Sequence, residues 1–459
     1  MNLNPEFQRN LWLELTLHRL IGMPLVLGGI FLLAYLSADP ADGVVTLTAL
    51  TLTCLFTFGW GTYLAAETVS GEIKSRTWDV QRMSSIGPWS MTWGKLFGST
   101  IFPWYGSLIC LTVYGLSAPE RSLTTVVLLL LTGLMSQAVA MLASLAAVSK
   151  GQAQGRSAVI GYCVIGILSA WPLFSLYRFK DAVSWFGYPF AAIDLTLISV
   201  TLWVVWALIG CYRQMSRELQ VAGTPVVWVS FLLFLWLFVA GFIPAAPEIR
   251  DHMPSLYLAV GSGVMLILTY GMVFNDRKEP AAMRRMLLAA QTGQWRRLLE
   301  DVPVWLPTLV MATVLALGLI VLLVVSPVNA VQAVAAKGAK NWVSTVEVIS
   351  WIVAFLLFAA RDMAIVLFFS LGARRNRADW TAGLYLAILY ALVPGLLTAM
   401  GAGQLVALFC PWLARHPGTS LIAGAMQVIL MAVLVHRRWQ NGFGKPRVIA
   451  ATPAAGFAR

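Results

Sequence analysis

VVTLTALTLTCLFTFGWGTYLAA, residues Val44 to Ala66, decides the fold class, because its twenty-three consecutive positions carry no charge. At 1.5 Å per residue a helix of that length covers about 34 Å, enough for the roughly 30 Å hydrocarbon core of a bilayer. Stretches like it recur along the whole chain. Hydrophobic residues make up 59% of the 459 positions and charged residues 11%, far from the roughly 25% charged of an average soluble protein. Backbone polar groups cannot stay unpaired in hydrocarbon, so runs this long and continuously apolar are helices rather than barrel strands.

Working outward from that stretch, twelve spans are expected. They fall near 20–37, 44–66, 96–117, 123–147, 157–177 and 186–211, then 224–245, 255–274, 303–325, 343–360, 380–400 and 418–436. The predicted fold class is therefore an all-α, polytopic integral membrane protein of about 12 transmembrane helices. Lysine and arginine collect on the cytoplasmic side of membranes. Placing both ends of the chain in the cytoplasm puts most of the 32 basic residues in cytoplasmic segments, while the 20 acids divide more evenly. Met1 to Arg19 carries Glu6 and Glu14 and no small-residue cleavage site follows the first span, so that span is expected to stay as an anchor.

The net charge of +12 sits in short loops beside spans, where anionic lipid head groups are the simpler partner, and nucleic-acid binding is not expected. Cys54, Cys110, Cys163, Cys211 and Cys410 lie in or beside apolar segments without CxxC spacing, and read as packing residues. His18, His252, His416 and His436 are scattered, so no metal site is expected. A phosphate-cradling GxxxxGK[ST] loop is missing, with Gly94-Lys95-Leu96 failing at the hydroxyl and at the preceding glycine spacing. No GxSxG elbow is present either. The chain is thus expected to be no enzyme and to bind no cofactor of its own.

The longest polar insertion of the first half runs from Glu67 to Lys95. It has a charged opening, a run from Thr77 to Met83 that can wind as a short amphipathic helix, a Gly87-Pro88 break, and Ser90 as a cap for the next span. Two readings stand: a coupling element or an ordinary interfacial connector. In this segment the chain resembles the permeases of type 2 ATP-binding-cassette (ABC) transporters, through Glu72, Lys74, Thr77, Asp79, Met83, Ser84, Ile86, Pro88, Trp89 and Gly94-Lys95. Arg76 stands where that family usually has glycine, and Ser84-Ser85 where it has Thr-Pro. Asn4-Pro5-Glu6 opens an amphipathic stretch with Pro5 in its first turn and Phe7, Leu11 and Leu15 on one face, which looks like the family's N-terminal interfacial helix.

The resemblance covers mainly residues 4–212. It implies a membrane subunit of an exporter whose cytoplasmic coupling helix docks on a separate ABC ATP-binding subunit, which would hold ATP and Mg. The contact region would comprise Glu67, Glu72, Thr77, Asp79, Met83, Ser84, Ile86, Pro88 and Lys95. A cell membrane location follows, most simply a bacterial cytoplasmic (inner) membrane. A homodimer or a heterodimer with another permease would complete the assembly.

The second half reads as a degenerate copy. A basic amphipathic stretch from Ala281 to Leu299 precedes span 9 much as residues 4–19 precede span 1, and Ala-Ala-Arg361-Asp362 ends span 10 as Ala-Ala-Glu67 ends span 2. The expected division is 1–212 as a six-span permease-like unit, 213–280 as a two-span intervening segment, and 281–459 as a four-span region with a cytoplasmic tail. The cluster Arg374-Arg375-Arg377 marks either the inner membrane surface or a second ATPase contact.

Two other functions compete. An ion-gradient-driven secondary transporter needs ionisable groups deep in the membrane, and the expected candidates are Asp194 and Glu347, each one to two turns from the outer boundary. A membrane-embedded lipid or glycan enzyme would need paired acids or histidines at one depth, which the sequence does not offer.

Overall fold

In the computed structural model of the chain, residues 4–37, 43–118, 122–151, 155–178, 182–221, 223–243, 253–276, 278–325, 344–372, 377–413 and 417–444 are described. The expected C-terminal tail from 445 onward, His252, His416, Arg374 and Arg375 lie outside them. Of the described residues 86% are helical. Among the described residues nine helices are long and apolar enough to cross a membrane, or ten if one bent pair counts as a single span. Two shorter apolar helices, Arg156–Trp171 and Val226–Ala240, occupy the remaining predicted positions. This is an all-α, multi-pass membrane protein.

The chain divides into two compact units, Met1–Gly223 and Thr224–Arg459. The first contains α1 (Pro5–Glu14), α2 (Leu17–Ser37), α3 (Val44–Lys74), α4 (Trp78–Arg82), α5 (Pro88–Ser99), α6 (Ile101–Ser117), α7 (Ser122–Ser149), α8 (Arg156–Arg178) and α9 (Ala192–Glu218). Between α8 and α9 a two-stranded hairpin pairs β1 (Val183–Trp185) with β2 (Tyr188–Phe190). Its two-residue turn has positive φ at both Phe186 and Gly187, the geometry that matches strand twist. The sixth span accordingly starts at Ala192 rather than at 186.

Span 2 is longer than its apolar run suggested, since α3 continues to Lys74 and carries Glu67 and Glu72 within the helix. A π-helical segment, Leu55–Gly61, interrupts it. The Thr57 carbonyl accepts from Gln137 Nε2 at 3.2 Å and from Thr62 Oγ1 at 3.1 Å, side chains meeting an acceptor beside the altered backbone register. Gln137 Oε1 in turn accepts from Trp104 Nε1 at 2.9 Å, so one amide ties spans 2, 3 and 4 together.

The third span is broken. α5 and α6 meet at 54° around Thr100, and Pro103 explains the break: it donates no hydrogen bond to the Ser99 carbonyl and its ring crowds that carbonyl. Gly87, not Ser90, caps α5, with Pro88 in its first turn.

The second unit contains α10 (Val226–Ala240), α11 (Met253–Asn275), α12 (Pro280–Gln291), α13 (Trp295–Asp301), α14 (Trp305–Val325), α15 (Thr345–Ser370), α16 (Ala378–Ala399) and α17 (Pro417–Trp439). The two helices of the expected intervening segment thus belong with the second unit. The basic stretch before span 9 is two helices, turned at Gly293 with φ of 68° and tied by Arg285 to Asp301 at 2.9 Å. The hydrogen bonds to Asp301, and then its charge, hold the Arg285 guanidinium above its ordinary value against a smaller opposing effect of burial. The largest departure is span 10. Arg361 and Asp362 do not end it, because α15 runs on to Ser370 with both residues buried inside. Residues 361–370 are membrane helix, not loop.

Candidate functional site

The Glu67–Lys95 segment is built around one buried cation. Lys95 is fully buried on α5; its Nζ donates to Glu6 at 3.0 Å, to Gln81 Oε1 at 2.6 Å and to Glu72. Its ammonium also sits 5.3 Å from the centre of the Trp78 ring. Arg9 reaches the same carboxylates, 3.0 Å from Glu6 and 2.7 Å from Glu72. Two cations therefore face two anions, and α1, the end of α3, α4 and α5 are clasped at a point.

The local sequence prepares this clasp. Asn4 accepts from the Glu6 N–H and caps α1, while its Nδ2 donates to the Ser90 carbonyl at 2.6 Å. Gly94 and Gly98, one turn apart on α5, admit α1 closely: a Cβ at Gly94 would lie 2.8 Å from Glu6 Cβ, and one at Gly98 2.8 Å from Asn10 Cβ. The face of α1 turned to the protein thus holds Glu6 and Asn10. Phe7, Leu11 and Leu15 are half-buried beside it, Pro5 is exposed in the first turn, and Trp12 and Leu13 are exposed. Phe7, Trp93, Phe97, Trp104 and Leu130 border an apolar groove of about 370 Å³ alongside.

α3 ends in a double backbone closure, Arg76 N–H to Ile73 and Thr77 N–H to Glu72, with Arg76 at φ 58°. That left-handed position is where glycine is favoured, which gives the departure at Arg76 a physical meaning. Thr77 then precedes α4, and its hydroxyl donates toward the Glu72 carbonyl. Trp78 is buried in the core of the unit, whereas Asp79, Val80 and Met83 are exposed, Val80 at 68% and Met83 at 81%. Ser84 is exposed and bonds the Gln81 carbonyl; Ile86 packs on the core; Pro88 is half-buried.

The sequence-predicted contact residues are thereby sorted. Asp79, Met83, Ser84 and Thr77 face outward, while Glu72 and Lys95 are internal ties. Glu67 lies further back on α3, where it and Arg156 both interact with Tyr63. Lys95 in particular is fully buried, with its ammonium held by Glu6, Glu72 and Gln81.

A second cluster was not anticipated. On α15, Arg361 Nε donates to Asp362 Oδ1 at 2.8 Å and Arg361 Nη1 to Gln427 Oε1 of α17 at 2.7 Å. Tyr270 of α11 and Tyr390 of α16 each donate to Asp362 Oδ2 at 2.6 Å. Phe358 and Tyr390 flank the guanidinium, ring centres 4.5 and 5.1 Å away. The charges that the sequence offered instead lie in the first turns of helices: Glu347 completes a capping box with Ser344, and Asp194 sits exposed in the first turn of α9, where it favours the helix dipole. The available signal was the apolar run Met363–Ser370, which continues the helix two turns past the charged pair.

Comparison with known protein families, with curated proteins and with solved structures finds no match to this chain.

Proposed function

We propose that this chain is the transmembrane permease subunit of an ATP-driven exporter, working with ABC ATP-binding subunits that hold ATP and Mg. It would sit in a bacterial cytoplasmic membrane with both ends inside, alone as a pair of copies or with another permease. One observation carries the reading: a five-residue helix between spans 2 and 3, Trp78–Arg82, is anchored by Trp78 and the Lys95 clasp while Val80 and Met83 stay exposed. A short helix tied rigidly to two spans and presenting apolar side chains outward suits transmission of a partner's closure into helix tilt. The apolar groove beside Phe7 and Trp93 suits a lipid acyl chain.

The test is co-purification after expression with the neighbouring genes. A soluble ATPase should stay with the chain, and Val80→Asp with Met83→Asp should release it without moving the unfolding midpoint. A second reading, an ion-gradient-driven carrier, is favoured by the buried Arg361–Asp362 pair. It prevails if no ATPase associates and transport in vesicles follows a proton gradient.

A further inference from the structure

The Arg361 cluster lies deep in its unit. At 1.5 Å per residue, Arg361 is about 5 Å from the midpoint of α15, and Tyr390 and Gln427 lie within about one turn of the midpoints of α16 and α17. Arg361 is 2% exposed and Asp362 fully buried. Neighbouring helix positions point about 100° apart, so this is no ordinary surface pair; the guanidinium curls back onto the adjacent carboxylate.

The two partners are unequally satisfied. Asp362 has both oxygens engaged, Oδ1 by Arg361 and Oδ2 by two tyrosine hydroxyls. A guanidinium has five N–H donors, and Arg361 Nη2 is buried without a directed hydrogen bond although it lies 2.7 Å from Asp362 Oδ1. The unmet capacity is on the cation.

The backbone beside it is irregular. Between α16 and α17 the chain forms 3₁₀ turns at Gly403–Leu408 and Pro411–Leu413. The Leu408 carbonyl accepts from Gln427 Nε2 at 2.8 Å, and Cys410 Sγ approaches the Tyr390 carbonyl at 3.7 Å. Gln427 and Tyr390 both lie well inside their helices, so the connection dips about 10 Å below the helix ends. Non-helical backbone at that depth persists where it is buried in protein or lines a polar path. Tyr270, Tyr390 and Gln427, which ring the charges, are each only half-buried.

We infer that Arg361 is the recognition element of an oxyanion site, for a carboxylate or a phosphate, and that each anion enters together with one proton taken by Asp362. Charge balance requires the proton. The site holds one cation and one anion, and a second anion in low dielectric is costly unless one carboxylate is neutralised. The groups around Asp362 offer no other compensation: Tyr270 and Tyr390 are neutral donors, Cys410 is a buried thiol, α14 carries no charge, and on α17 Gln427 is uncharged, with His436, Arg437 and Arg438 more than two turns away. The guanidinium releases Asp362 Oδ1 and takes the incoming oxygens as a fork. Oδ1 binds the proton and donates it toward the anion, and the tyrosines remain on Oδ2. The site holds whichever energy source drives the protein.

The test uses the full chain in phosphatidylcholine nanodiscs. Free inorganic phosphate or acetate is added in one arm, and phosphatidylglycerol replaces part of the lipid in the other; bound anion is read by native mass spectrometry and proton uptake by a dye in weak buffer. At least one source should bind, with about one proton taken per anion and affinity falling about tenfold per pH unit over the range where that proton is taken up. Arg361→Gln should weaken binding at least tenfold, and Arg361→Lys, which keeps the charge without the fork, severalfold. Asp362→Asn should bind the anion with no proton uptake and a flat pH profile. If Arg361→Gln does not fold, Arg361→Lys and Asp362→Asn carry the test. No binding of either source, equal binding by the Arg361 variants, or binding without proton uptake overturns the inference. An ATPase that fails to co-purify overturns only the exporter reading.

Discussion

Replacing Lys95 with methionine keeps an unbranched side chain one atom shorter and deletes the central charge of the clasp. Glu6, 4% exposed, and Glu72, 14% exposed, would then face each other with only Arg9 between them, itself 43% exposed. Removing one partner of a buried ion pair costs about 3–5 kcal/mol. Arg9 remains at 3.0 and 2.7 Å from the two carboxylates, which places the expected cost near the lower bound, about 3 kcal/mol. That energy holds α1 on α5, so its loss corresponds to an opening equilibrium on the order of a hundredfold more favourable. Hydrogen exchange of the amides of residues 5–14 in detergent or nanodiscs reads it directly: they should exchange about a hundredfold faster in Lys95→Met. Glu6→Gln combined with Lys95→Met should recover part of the loss, since it removes one of the two stranded carboxylates. Unchanged exchange in Lys95→Met, or strictly additive effects in the double variant, would refute the clasp.

Other outcomes follow from single contacts. Gly94→Val should cost about 1–3 kcal/mol, seen as a lower unfolding midpoint, because its Cβ would lie 2.8 Å from Glu6 Cβ and 3.0 Å from the Phe7 amide. Arg76→Gly should raise the midpoint by the equivalent of about 0.5–1 kcal/mol, since the exposed Arg76 holds a left-handed φ of 58°; a fall would show that its side chain matters. Gln137→Leu should cost about 1–2 kcal/mol by stranding Trp104 Nε1 and one bond to the Thr57 carbonyl, and Trp104→Phe in that background should add little.

Much of the fold was legible because its causes are local. Continuous apolar runs mark helices in lipid wherever they fall, and Asn4-Pro5 marks a helix start through its own backbone chemistry, whereas Gly87-Pro88, read as a break before a cap at Ser90, is itself the start of α5. The short helix after Thr77 was legible for the same reason. Span limits failed where a charge intervened. Glu67 and Arg361 read as span ends because an isolated charge does not stay in hydrocarbon. Both sit within helices instead; beyond Glu67 the helix is held through Glu72 by Lys95, 23 positions on, and Arg361 is held by Gln427, 66 positions on.

The sequence by itself thus determined that the chain crosses membranes as helices and that a short structured helix joins spans 2 and 3, since burial of apolar surface and backbone capping depend on near neighbours alone. Only the tertiary structure decided where the buried charges lie and what they do. The cost of burying Lys95, Arg361 and Asp362 is offset by partners on other helices, and which helices meet is a property of packing that no local window contains.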